Sequence, residues 1–128
     1  MEHPNAALVR KYLDAMNVDP QAGAALLTDD IEWHEIGRSE AIMGKEALAA
    51  RFGMGSGSMP SYQITGETHD IIGGDDHTVA LLSAHATRGD EKLDYRVAEI
   101  YHIRDGKICA RWAFSDDTDA INAFFKGE

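Results

Sequence analysis

The chain has little of several features that define specialised protein classes. Its single cysteine, Cys109, excludes an intramolecular disulfide, so a reducing cytoplasm is expected. No apolar run approaches the ~20 residues of a membrane-spanning helix, and the N-terminus lacks the charged-then-apolar organisation of a signal peptide. Its 12 Lys and Arg residues are scattered among 22 Asp and Glu residues, which argues against a nucleic-acid partner. Neither a membrane nor a polyanion is therefore an expected partner.

The residues that are present predict one globular domain spanning 1–128. Hydrophobic residues make up 44% and charged residues 27% of the chain, so it has the composition of an ordinary folded protein. A length of 128 residues suits a single hydrophobic core. The only flexible-looking segment, "GMGSGSMPS" at 53–61, is too short to separate two domains.

The apolar spacing predicts three helices early in the chain and one at its end. From His3 to about Met16, apolar residues recur on one helical face, and Pro4 suits the first turn. Asp19 is expected to cap a second, shorter helix that begins at Pro20. A third is predicted in "GKEALAARFG", ending at Gly53, and a fourth in "DDTDAINAFF".

The remaining segments predict strands. "DDIEWHEIG" is the first, and four longer strands follow, separated by the turn sequences "GGDD", "RGDE" and "DG". Helices followed by hairpins indicate an α+β fold with a bent antiparallel sheet wrapped around the helices as a cone. The long strand "KLDYRVAEIYHIR" is partly apolar on both faces, so we expect helices to cover one face and a second subunit of a homodimer to cover the other.

Two glutamates stand out because they share strand faces with large apolar residues. Glu35 follows Trp33 on one face of the first strand, and Glu99 lies between Val97 and Tyr101 on one face of another. A carboxylate buried in ordinary core is costly unless it has a partner. We therefore expect both glutamates to face a cavity. The alternatives are that the strand register differs by one residue, which would expose Glu35, and that Glu99 is a structural partner of Arg96, Arg111 or Tyr12.

The order of elements resembles the nuclear transport factor 2-like superfamily, which includes ketosteroid isomerases and SnoaL-like polyketide cyclases. The similarity covers nearly the whole chain and is carried by "KYLDAMN", "DDIEWHEIGR", "MGKEAL", "GDDHTVALLSAHATRG" and "EIYHIRDGKI…W…DD". The ketosteroid isomerase branch implies that Tyr12 is a hydrogen-bonding tyrosine, Glu35 the general base and Glu99 a neutral carboxyl that donates to an oxyanion. Both acids are aspartates in that branch, so the longer glutamates place each carboxyl differently.

A second branch implies a different pair of catalytic residues. SnoaL-like cyclases use a histidine and an aspartate as acid and base, which would assign these roles to His85 and Asp116. By alternation His85 shares a face with Leu81 and Ser83, a polar set that favours a small substrate over a steroid. Asp116 also suits a helix cap, and the pattern leaves open which pair of the last strand faces inward, Arg111 with Ser115 or Trp112 with Asp116.

We accordingly expect a cofactor-free enzyme that moves a proton on a small carbonyl or polyketide-like compound. The catalytic residues would be Tyr12, Glu35, Glu99 and His85. The residues expected to line the substrate pocket are Trp33, Leu81, Ser83, Tyr95, Val97, Tyr101 and Asp116. The alternative is a non-catalytic module of the same fold that binds a small hydrophobic ligand or serves dimerisation. No histidine or cysteine spacing indicates a metal site.

Overall fold

The computed structural model describes residues 2–51 and 62–125, which form four helices and six strands. The helices are α1 (Pro4–Val18), α2 (Pro20–Ala24), α3 (Lys45–Arg51) and α4 (Thr118–Phe124). The strands are β1 (Leu27–Trp33), β2 (Ile42–Met43), β3 (Gln63–Gly73), β4 (Thr78–Arg88), β5 (Glu91–Arg104) and β6 (Lys107–Phe114). The α+β class is confirmed. The predicted end of the third helix at Phe52 and Gly53, and the segment 53–61, lie outside the described residues.

The helix starts follow the local sequence signals. Pro4 and Pro20 occupy the first turns of α1 and α2, where a missing N–H costs nothing. The Asp19 side chain accepts a hydrogen bond from the Gln21 N–H at 3.2 Å, so the predicted cap is confirmed. At the last helix the capping residue is Asp117, which accepts from the Ala120 N–H at 3.2 Å.

The six strands form one curved, unclosed sheet in the order β2-β1-β6-β5-β4-β3. Its hairpins are antiparallel as predicted, and the "DG" turn at Asp105 and Gly106 has the two positive φ angles that a type I′ hairpin needs. The sheet is nevertheless mixed, because β1 pairs with β6 in parallel. Irregular registers in β3 at Thr68/Asp70 and in β5 at His102/Ile103 accompany the bending of the long strands.

The two faces of the sheet differ in what covers them. On the inner face, α1 contributes buried Ala6, Val9 and Tyr12 to a core shared with β4 and β5. The inward residues of β4 are mostly small, and they are Thr78, Ala80, Leu82, Ala84 and Ala86. Small side chains allow the helix to approach the sheet closely. Nothing among the described residues packs as a second layer on the outer face, and within 2–51 and 62–125 no helix has the length and apolar character of a membrane span.

Candidate functional site

A buried polar cluster lies between α1 and the inner face of the sheet, centred on Glu99. Glu99 and Tyr101 point to the same face of β5 because they are two residues apart, and Arg111 lies opposite Tyr101 on β6. The Tyr101 hydroxyl donates to one carboxylate oxygen of Glu99, and Arg111 Nη2 donates to the other. The side chains of Glu99 and Arg111 are only 9% and 12% exposed. A buried carboxylate is thus paired and hydrogen-bonded on both oxygens.

This arrangement corrects one expectation about Glu99. Its position on the inner face agrees with the sequence, but its neighbours are not apolar alone, because Arg111 and Tyr101 both donate to it. In this arrangement Glu99 is an acceptor, and the role of a neutral carboxyl that donates to an oxyanion does not fit it.

Arg111 is held on three sides. Its Nη1 donates to the main-chain oxygen of His34 at 3.0 Å, and its guanidinium lies over the Trp33 ring at 4.2 Å from the centroid. Burial acts to lower the pKa of Arg111, but the charge and hydrogen bond of Glu99 outweigh it, so the pKa lies above its ordinary value. The buried Nε–H has no acceptor among the described residues. The Nε–H of Arg111 is therefore a buried donor without an acceptor inside the cluster.

Tyr12 supplies a second donor in the same place. Its ring on α1 is 3% exposed and meets the Tyr101 ring edge-on, with centroids 6.0 Å apart. Burial raises the pKa of Tyr12 above its ordinary value, with a further contribution from the charge of Glu99, so the hydroxyl stays protonated. Within residues 2–51 and 62–125 no group forms a hydrogen bond with this hydroxyl.

Glu35 lies two residues beyond the end of β1 at Trp33. It is half-buried and forms a two-pronged ion pair with Arg51 of α3, at 3.0 and 3.2 Å. The residue before it, His34, is the one whose main-chain oxygen accepts from Arg111. Glu35 thus lies one residue away from the Arg111 contact, with a cationic partner that the sequence did not indicate.

The prediction that Leu81, Ser83 and His85 line the inner pocket is wrong. The three do share a face, but it is the outer one, because the alternating Ala80, Leu82 and Ala84 are buried against α1. His85 Nε2 bonds Glu67 at 2.7 Å and Nδ1 bonds Asp94 at 2.8 Å, and these two carboxylates raise the pKa of the imidazole, Asp94 more than Glu67. Ser83 bonds His69 at 2.6 Å.

Asp116 also lies outside the cluster. It is exposed and pairs with Arg96 at 2.5 Å, and this hydrogen bond holds the pKa of the carboxyl below its usual range. Together with His85 it lines an open groove of about 330 Å³. The histidine and aspartate implied by the cyclase branch therefore reach one groove, but each is already engaged by its own ion partner. Of the two registers left open for the last strand, Arg111 faces inward and Trp112 outward.

The remaining predicted pocket residues have inward positions. Trp33 and Val97 are buried in the main core, and Tyr95 packs against a smaller cluster formed by Tyr62, Ala86 and Phe124. The structure thus brings Tyr12, Trp33, Glu99 and Tyr101 together, whereas the Glu35 side chain pairs with Arg51 and is linked to the cluster only through its chain neighbour His34. Arg111 was not among the predicted site residues, and the sequence indicated it only as one of three possible structural partners of Glu99, with Arg96 and Tyr12. In the described part of the chain, no group of three or more potential metal ligands converges.

N-terminal helices packed on a curved sheet are the architecture of nuclear transport factor 2-like proteins. The chain belongs to the family of SnoaL-like domains, whose sequence model matches residues 9–111. No curated protein matches it.

Several solved structures share the fold at low sequence identity. Bal32a, from a soil-derived mobile gene cassette, is 22% identical with a TM-score of 0.80, covering 96% of this chain and 97% of that one. An epoxide hydrolase of M. tuberculosis, described as LEH-like, is 18% identical with a TM-score of 0.74, over 97% of this chain and 91% of its own. SalBIII, an epoxide hydrolase/cyclase-like enzyme in pyran ring formation of salinomycin, is 17% identical with a TM-score of 0.72, over 88% and 91%. At these identities the likeness establishes the fold.

Proposed function

We propose that the protein is an enzyme that transfers a proton next to the carbonyl group of a small, polyketide-like compound. The observation that carries this proposal is the pair of unused donors, Tyr12 O–H and Arg111 Nε–H, beside the buried Glu99 carboxylate. Two donors without acceptors in a buried place suit a ligand oxygen that gains negative charge. Solved structures of the same fold include an epoxide hydrolase and an epoxide hydrolase/cyclase-like enzyme, which supports a reaction on a small molecule.

The proposed reaction requires a base as well as donors. The Glu35 carboxylate would take a proton from the carbon next to the carbonyl, and the electron pair of that C–H bond would move toward the oxygen. The resulting enolate oxygen would accept hydrogen bonds from Tyr12 and from Arg111. Returning the proton from Glu35 to a different carbon completes an isomerisation with no net change in atoms or electrons.

Glu99 and Tyr101 would act through Arg111. The ion pair with Glu99 fixes one end of the guanidinium. The hydrogen bond from Tyr101 occupies the other carboxylate oxygen of Glu99. A donor fixed before the reaction needs no reorganisation when charge develops, and loss of one such donor typically lowers kcat by about 10²–10³. The role of Glu99 in this scheme is therefore positioning rather than direct donation.

The test uses 4-nitrophenol as an oxyanion probe and a small β,γ-unsaturated cyclic ketone as substrate. We expect the phenolate to bind, with its absorbance reporting affinity, and Tyr12→Phe and Arg111→Lys to weaken binding. Glu35→Gln should retain the probe but lose conversion of the ketone to its conjugated isomer. His85→Ala, a change on the outer face, is the matched control and should alter neither. Absence of probe binding together with unchanged turnover in Glu35→Gln would reject the proposal.

A non-catalytic ligand-binding module is the second candidate. It is favoured by one observation, that both glutamates are engaged in ion pairs, Glu35 with Arg51 and Glu99 with Arg111. Such pairs are equally suited to holding a structure together. If the protein is only a binder, the Glu35→Gln variant should retain affinity for the probe, and the wild-type protein should not convert the ketone. The same assay therefore separates the two functions.

We also propose that the protein works as a homodimer in the cytoplasm, joined through the outer face of the sheet. Two apolar rows cross that face from strand to strand: Ile72, Val79, Ile100 and Trp112 in one, and Leu81, Ala98 and Phe114 in the other. Ile72 and Phe114 are 57% and 55% exposed. Sheet faces of this kind pack on each other in two-layer assemblies. In sedimentation experiments Leu81→Glu should yield a monomer, whereas Val18→Glu, at the exposed C-terminal end of α1, should leave the dimer intact. A wild-type monomer would exclude this assembly.

A further inference from the structure

His34 contacts both sides of the sheet. Its ring is stacked on Trp112 of the outer face, with centroids 5.0 Å apart and planes at 12°, and its Nε2 bonds Glu32 at 2.6 Å. Its main chain contacts Arg111, whose side chain lies on the inner face. The His34 N–H donates to the Arg111 carbonyl at 2.8 Å, and the His34 carbonyl accepts from Arg111 Nη1 at 3.0 Å.

The position of the His34 carbonyl is not fixed by a regular ladder. β1 ends at Trp33, so His34 is the first residue past the strand, held to β6 by one main-chain hydrogen bond. The chain then turns at 36–37 toward β2. A carbonyl at such a point can rotate unless its side chain is anchored. The stack on Trp112 and the hydrogen bond to Glu32 provide that anchor.

We infer that the imidazole of His34 is a positioning residue for Arg111, setting the direction of the guanidinium from the opposite face of the sheet. Nη2 is fixed by Glu99 and Nη1 by the His34 carbonyl, and together these two contacts determine where the remaining Nε–H points. The importance of that direction for a ligand rests on the proposed function. The positioning itself concerns only the protein and is measurable without a ligand.

The outer aromatic row supplies a matched control. Trp112 also contacts His102, at 4.8 Å between centroids, and His102 contacts His77 at 4.5 Å. His77 therefore belongs to the same row as His34 but makes no contact with Arg111. A change at His77 disturbs the row without removing the anchor of the His34 carbonyl.

The experiment measures hydrogen exchange of the Arg111 Nε–H by ¹⁵N–¹H NMR, with Arg111→Lys identifying the resonance. The main-chain amide of Leu82 in the same sample reports opening of the whole core. We expect His34→Ala to accelerate exchange at Arg111 by about tenfold without the same change at Leu82, as a local opening does. His34→Phe, which retains a ring for stacking, should restore slow exchange, Trp112→Leu should reproduce the acceleration, and His77→Ala should have no effect.

Other outcomes would overturn the inference. Unchanged exchange in a folded His34→Ala variant would show that the ring does not hold the carbonyl. Equal acceleration at Leu82, or in His77→Ala, would indicate general loosening of the fold. Because no ligand enters the measurement, failure of the phenolate to bind would reject the proposed function and leave this result standing.

Discussion

Glu99 and Arg111 form a buried ion pair across the β5–β6 hairpin, at the centre of the space between α1 and the sheet. Arg111→Met would leave the Glu99 carboxylate buried without a counter-charge, which typically costs about 3–5 kcal/mol of unfolding free energy. Glu99→Gln should be destabilising for the converse reason.

The double variant is the informative control for that prediction. Removing both charges should cost less than the sum of the single changes, with a coupling of about 1–3 kcal/mol in the free energy of unfolding, because neither charge is then left alone. Denaturant unfolding of the four proteins measures the cycle. Additive losses would contradict a direct interaction between the two side chains.

The two tyrosines of the cluster should respond differently to loss of the hydroxyl. Tyr101→Phe removes a donor from a buried carboxylate, so the free energy of unfolding should fall by about 1–3 kcal/mol. Tyr12→Phe breaks no hydrogen bond within the described chain, so its stability should stay within about 0.5 kcal/mol of wild type. Chemical denaturation compares the pair, and equal losses would show that the Tyr12 hydroxyl has a structural role.

Alkaline titration provides a test of tyrosine burial. Burial raises the pKa of Tyr12 above its ordinary value, that of Tyr95 to about 12, and that of Tyr101 well above its ordinary value. For each group the folded pKa exceeds the unfolded one, so its contribution to stability is fully present below about pH 10 and is lost as the pH rises further. Phenolate absorbance should therefore show at least three of the four tyrosines ionising above pH 10. Ionisation of all four near pH 10 in the folded protein would contradict their burial.

The pKa of the His85 imidazole should also be raised, but by hydrogen bonds to carboxylates rather than by burial. The imidazole is exposed, and its pKa is raised by the hydrogen bonds that it donates, first to Asp94 and second to Glu67. Because the folded pKa is raised, the stabilising contribution is present below the ordinary pKa of about 6.5 and disappears as the pH rises through the folded value. NMR titration should show Asp94→Asn lowering the pKa of His85 more than Glu67→Gln does. Equal effects would contradict the predicted order of the two carboxylates, and absence of any effect would contradict both hydrogen bonds.

Local signals in the sequence predicted the helices, strands and turns. They could not predict which distant strands pair with each other. The Asp19 cap, the proline positions and the Asp105–Gly106 turn act within a few residues and are all confirmed. The parallel pairing of β1 with β6 has no local signal, because no turn joins the two strands. The sheet was therefore correctly predicted as curved and wrongly as antiparallel throughout.

In the candidate site, too, the local pattern predicted some features and long-range packing determined the others. Alternation placed Leu81, Ser83 and His85 on one face, but it cannot say which face is inner when both are partly apolar. Small alanines on the other side of β4 decided the question by admitting α1. The sequence left Arg111 as one of several possible partners of Glu99, because the choice depends on the β5–β6 register, which shifts by an irregularity near Ile103.

The parallel junction of β1 and β6 also bears on how the protein is made. His34 and Arg111 are 77 residues apart in the chain, so a ribosome must synthesise most of the polypeptide before they can meet. During that interval Glu99 lacks its counter-charge and the edges of β1 and β5 are unpaired, which are conditions that favour misassociation of a nascent chain. A product that ends before residue 107 would lack β6, and with it the strand that joins the two parts of the sheet.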